Sequence, residues 1–129
     1  MNYTSGLVKF YAACQAVVGL LLLFVPESAG LIESSARSAE LVPFQLIGAA
    51  FLGLGLGNWT ARESILGGIY GRAVIVSNQT FSFIGSMVIL SSFPENPEWG
   101  FYLLAAVLCF GMILFSILQF QPSWLDRSK

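Results

Sequence analysis

Charge is scarce in this sequence: six Lys and Arg and seven Asp and Glu among 129 residues, or 10%. A soluble domain carries about 25% charged residues, so a water-soluble fold is not expected. The few cations form no cluster able to release counterions from phosphates, which excludes nucleic acid as a partner. Histidine is absent altogether. That removes the usual axial ligand of haem, the commonest ligand of zinc and copper, and the usual proton shuttle at neutral pH. The two cysteines, Cys14 and Cys109, each lie inside an apolar run and lack Cys-x-x-Cys spacing. They read as small buried hydrophobes rather than as a redox pair or a disulfide framework. No acid falls deep in an apolar run, since Glu40 and Glu98 sit at borders, so a proton-coupled exchanger would lack its embedded carboxylate. The glycines between Gly48 and Gly57 are not followed by the Lys-Ser/Thr of a phosphate-binding loop. No catalytic, cofactor-binding or metal-ligating residue is assigned, and the chain is not expected to be an enzyme.

Apolar residues make up 56% of the chain, and the mean hydropathy is +0.76. A helix needs about 20 apolar residues to cross a bilayer, and four such runs occur, at about 6–25, 41–59, 65–90 and 99–120. They consume most of the sequence, which leaves one transmembrane domain, 1–129, and no room for a second. Pro26 closes the first run, because its ring and missing N–H oppose further helix. The following Pro-Glu-Ser-Ala-Gly lacks a small-x-small cleavage pattern, so this run reads as a retained helix rather than a signal peptide. Pro43 is placed in the first turn of the second run. Short links at 60–64 and 91–98 make consecutive helices antiparallel neighbours. The predicted fold is all-α: an integral membrane bundle of four helices, up-down-up-down.

Lys9, Arg62, Arg72, Arg127 and Lys129 flank the two ends of the sequence and the second link, whereas only Arg37 lies in the first link. Glu27, Glu33, Glu40, Glu95 and Glu98 occupy the other side. Cations remain on the cytoplasmic side, so both termini are predicted to be cytoplasmic, in a bacterial inner membrane, with one fixed orientation. Trp59, Trp99 and Trp124 fall at helix ends, as interfacial anchors do.

Arg72 lies about 10 Å into a third helix that starts at Ile65, where a charge needs a partner or a route to water. Its stem can snorkel to the headgroups or reach Glu63; the functional alternative is an anionic headgroup, substrate or partner protein. Gly68, Gly71, Arg72, Ile75, Asn78, Gln79, Ser82, Gly85 and Ser86 recur at three- and four-residue steps and form a polar stripe. Such a stripe turns toward neighbouring helices, because its amides would be unsatisfied in hydrocarbon. Gln15 among Ala12, Ala16 and Gly19 of the first helix, and Gln45 with Gly48, Leu52 and Gly55 of the second, turn small or amide-bearing faces to a common centre. Gln15 and Gln45, with Arg72, Asn78 and Gln79, are the candidate ligand or partner contacts. Ala49, Gly53 and Gly57 form a four-residue repeat and, with Gly68, Gly71 and Gly85, are the candidate packing positions.

Phe24-Val25-Pro26, the glycine-rich helix running to Gly57-Asn58-Trp59-Thr60-Ala61-Arg62, and Gly67-Gly68-Ile69-Tyr70-Gly71-Arg72 together resemble small bacterial four-helix membrane proteins of the DoxX-like type. The resemblance spans most of the chain and implies a fold and topology, with no catalytic residues to carry over. Small multidrug resistance transporters centre on a carboxylate in the first helix, where this chain has Lys9 and Gln15. Thr80-Phe81-Ser82-Phe83 is similar to part of the fluoride channels, but their dual topology conflicts with the charge bias here. The expected role is a non-enzymatic membrane subunit, packing in a homo-oligomer or in a larger membrane complex, with lipids as surroundings. The alternatives are a protein binding lipid, quinone or pigment on the Arg72/Asn78/Gln79 face, and a small-solute channel or transporter.

Overall fold

The computed structural model describes residues 3–33, 35, 37–65 and 68–120. Among these the fold is four long helices and no strand: α1 (Tyr3–Phe24), α2 (Ser38–Ala61), α3 (Gly68–Ser91) and α4 (Trp99–Phe120). The shortest has 22 residues, which at 1.5 Å each gives about 33 Å, enough for the roughly 30 Å hydrocarbon core. All four are long and apolar enough to cross a membrane. Large apolar side chains such as Leu46, Leu56, Met87 and Val88 are exposed along the outer faces. Water would penalise that surface, whereas lipid tails accept it. The chain is therefore an integral membrane bundle of four helices.

The helix ends follow from local chemistry. Val25, held out of the α region by the following proline (φ −143°, ψ 50°), ends α1. A 3₁₀ turn follows over Pro26–Ala29, closed by Gly30 in the left-handed conformation (φ 65°). Helix α2 starts three residues earlier than the apolar run, because the Glu40 N–H already bonds the Arg37 carbonyl at 2.8 Å. Pro43 consequently lies inside the helix, with its ring exposed, and not in the first turn. Helix α3 starts at Gly68 rather than at Ile65. Ile65 is buried in the link, with its carbonyl against Gly71. Helix α4 has the bounds of the apolar run.

Helices α1 and α2 form one antiparallel hairpin, and α3 and α4 a second. In the first, backbones nearly touch: a Cβ at Gly19 would lie 2.8 Å from the Gly48 carbonyl oxygen, and one at Gly48 equally close to the Gly19 oxygen. Gly55 lies similarly against Ala12 and Ala16. The second hairpin is filled by side chains, with Leu108 seated over Gly85 and Phe93 edge-on to Phe101 and Tyr102. At one end of the bundle the first and third links meet. There the Trp99 indole donates to the Ser28 carbonyl (3.1 Å), and Gly100 admits Ala29. Val8, Tyr11, Phe51, Ile75 and Phe115 form the core between the hairpins.

The structure divides the small residues of α2 between an inner and an outer face. Gly48, Phe51, Gly55 and Asn58 are its buried residues. Ala49 and Gly53 are exposed and Gly57 half-buried, and a Cβ at Gly53 or Gly57 would meet nothing within 4 Å. The polar amide decides the rotation. Asn58 must find partners inside, whereas glycine and alanine face lipid without an unsatisfied side chain.

Candidate functional site

Among the described residues, the most deeply buried amides meet at the centre of the bundle, with Ser82 and Ser86 one and two turns further along α3. Gln15 of α1, Asn58 of α2 and Asn78 of α3 are 0%, 0% and 1% exposed. The Asn58 amide donates to Gln15 Oε1 (2.6 Å) and Asn78 Oδ1 (2.8 Å). Asn78 donates back to Asn58 Oδ1 (2.8 Å) and also to the carbonyl of Val74 (2.9 Å). Gln15 Nε2 completes the triangle at 3.2 Å from Asn78 Oδ1. One helical turn away, the Tyr11 hydroxyl and the Ser82 hydroxyl share a hydrogen bond of 3.0 Å. The Tyr11 ring packs edge-on against Phe110 and Phe115 of α4. Amides at these depths have no water to bond, so mutual pairing is what makes their burial tolerable.

The predicted site residues divide into three groups. Gln15 and Asn78 meet. Gln79 turns toward α4 and donates to Ser116 Oγ (3.3 Å), and Gln45 reaches the Leu23 carbonyl at the end of α1 (3.4 Å). Arg72 stands apart, exposed on the outside of α3. Because that helix begins at Gly68, Arg72 is only about 6 Å from its start, close enough for its head to reach the headgroups. It does not reach Glu63, which lies 3.5 Å from Arg62. The proposed Arg72/Asn78/Gln79 face is thus three different surfaces. Of the other stripe residues, Gly71 is buried against the second link and Gly85 against Leu108, while Gly68 opens the helix.

Asn58 is the central residue that the sequence reading did not single out. The apolar run ends at Trp59, one residue beyond Asn58; because the helix continues to Ala61, Asn58 lies a turn inside it. Its signal was the spacing of Gly48, Phe51, Gly55 and Asn58, at steps of three and four. Tyr11 was likewise hidden among apolar neighbours. Trp59 and Trp99 lie at the ends of α2 and α4, Trp59 with the Arg62 guanidinium 5.2 Å from its ring centroid. Trp124, Arg127, Lys129 and Gly67 lie outside the described residues.

Beside the amides, a cleft of about 180 Å³ separates α2 from α3. Gly53, Leu54 and Gly57 line one wall; Ala73, Ser77 and Asn78 line the other. Pockets for cofactor-sized ligands run from about 300 Å³ upward, so this cleft suits a side chain or part of one acyl chain. Among the described residues, no three of Cys, Asp and Glu come together as a metal site would require. Comparison of the chain with protein-family models, with curated proteins and with solved structures found no match.

Proposed function

We propose that this chain is a non-enzymatic membrane subunit of the DoxX-like type, held in a bacterial inner membrane with both termini cytoplasmic. It packs laterally against its own copies or against subunits of a larger membrane complex. The observation that carries this reading is the outward face of Ala49, Gly53 and Gly57, where an added Cβ at either glycine would touch nothing of the same chain. Small residues on a lipid-facing helix let a second backbone approach closely, the main attraction available between helices in lipid. The central amides support the same reading, since they are engaged with one another and leave little free for chemistry. A channel has less support for that reason: the amides bond across the centre where a pore would need free polar groups.

A lipid-binding role is the second reading, favoured by the α2–α3 cleft. Its 180 Å³ accommodates part of an acyl chain but not the ring system of a quinone or pigment. Purification from native membranes in gentle detergent tests the leading proposal. The protein is expected as a stable oligomer or with a co-purifying membrane partner, and Gly53→Leu is expected to release it as a monomer. A lone monomer at every concentration would overturn the reading.

A further inference from the structure

The bonds around the amide triangle divide in a way that packing alone does not require. Asn58 and Gln15 belong to the same hairpin and bond each other at 2.6 Å. Asn78, from the other hairpin, keeps a bond of its own to the Val74 carbonyl one turn earlier in α3. The bonds that cross between hairpins are a separate set: three at Asn78, to Gln15 and Asn58, and the one between Tyr11 and Ser82. If the hairpins parted, each of the three amides would retain a partner within its own half. An amide network that had to break completely would hold the halves shut in hydrocarbon, because several unsatisfied polar groups would be left behind. This one can exchange a fully bonded state for a partly bonded one.

The packing divides along the same line. Within the first hairpin the backbones are in contact at Gly19, Gly48 and Gly55, which leaves no slack for sliding. Between the hairpins the contact is made by side chains, among them Phe51 against Phe81 (ring centroids 5.0 Å apart) and Tyr11 against Phe110 and Phe115. The α2–α3 cleft is where the two halves already stand apart.

We infer that the Gln15/Asn58/Asn78 triangle with the Tyr11–Ser82 bond is a latch between the backbone-packed α1–α2 hairpin and the α3–α4 hairpin, whose release widens the α2–α3 cleft toward the bilayer. The latched state predominates in the unaltered chain. The cleft shares Gly53 and Gly57 with the face proposed to bind a partner.

Interspin distances in liposomes test the inference, with labels at exposed positions and the labelled chain diluted with unlabelled chain so that only distances within one molecule are read. Both native cysteines are first replaced, Cys14→Ala and Cys109→Ala. Labels at Leu46 on α2 and Val88 on α3 report across the hairpins; labels at Leu20 on α1 and Leu46 report within one. An interhelical hydrogen bond in a membrane is worth about threefold in an equilibrium. Tyr11→Phe, which keeps the ring and removes one crossing bond, is expected to raise the ratio of long to short Leu46–Val88 distances about threefold. Asn78→Leu removes three, for an increase on the order of twentyfold. The Leu20–Leu46 distance stays unchanged in both. Unaltered Leu46–Val88 distances would overturn the latch, and a parallel change in Leu20–Leu46 would overturn the rigidity of the α1–α2 hairpin. Should Asn78→Leu fail to insert, Tyr11→Phe alone decides between these outcomes.

Discussion

The interface between α1 and α2 and the interface between α2 and α3 use glycine from the same short stretch of one helix in opposite ways. Toward α1, Gly48 and Gly55 are spaces filled by another backbone. Toward α3 and the lipid, Gly53 and Gly57 are spaces left open. The difference teaches that a small residue in a membrane helix permits close approach without causing it. What turned α2 was the amide of Asn58, whose need for partners fixed which glycines face inward.

Filling a glycine on the tight side should therefore have the largest effect. Gly48→Leu would drive a side chain into the α1 backbone, and we expect a loss on the order of 3 kcal/mol, enough to abolish the folded bundle in thermal unfolding in detergent. Retention of the native melting temperature would show that the α1–α2 contact is loose. Next comes Gly111→Ala in α4. Its new Cβ would press on the hydroxyls of Tyr11 and Ser82, where the two hairpins meet, at a cost of about 2 kcal/mol. A neutral outcome would mean that these hydroxyls move aside freely and that the side-chain interface is softer than the backbone one.

The smallest effect sharpens the comparison instead of breaking it. Asn58→Leu removes three interhelical bonds and leaves Gln15 and Asn78 short of partners, at about 0.6 kcal/mol per bond a loss of about 1.8 kcal/mol. Adding Asn78→Leu should cost less than the sum of the two single changes, because the partner left unsatisfied is removed as well. A double-mutant cycle in the same unfolding assay measures that coupling. Strict additivity would indicate that the amides act separately.

Much of this architecture was readable from residue order. All four spans, the bounds of α4, and the inward stripe of Ile75, Asn78, Ser82 and Ser86 follow from hydrophobic runs and three- and four-residue steps, because lipid leaves the backbone no alternative to a helix. Gly48 and Gly55, expected at the bundle centre, are buried, but the glycines alone could not rank that face against Ala49, Gly53 and Gly57, since the two small-residue repeats overlap one position apart. The exposure of Arg72 was obscured for a related reason. Apolar character begins at Ile65, but Ile65 is buried in a link, and hydropathy does not distinguish a buried link from a helical turn. Asn58 was passed over beside a terminus that lies two residues further along than the apolar run shows.

The meeting of the first and third links, where Trp99 holds the Ser28 carbonyl, constrains how the molecule can deform. A second tie, the short peptide link from α2 to α3, lies at the opposite membrane face. Two hairpins held at these two ties turn most freely about the line that joins them. That line runs from one membrane face to the other, so the halves can turn about it but cannot slide past each other along the membrane normal. The lever of each helix is then its lateral distance from the line, about 10 Å, and a turn of roughly 10° displaces it by about 2 Å.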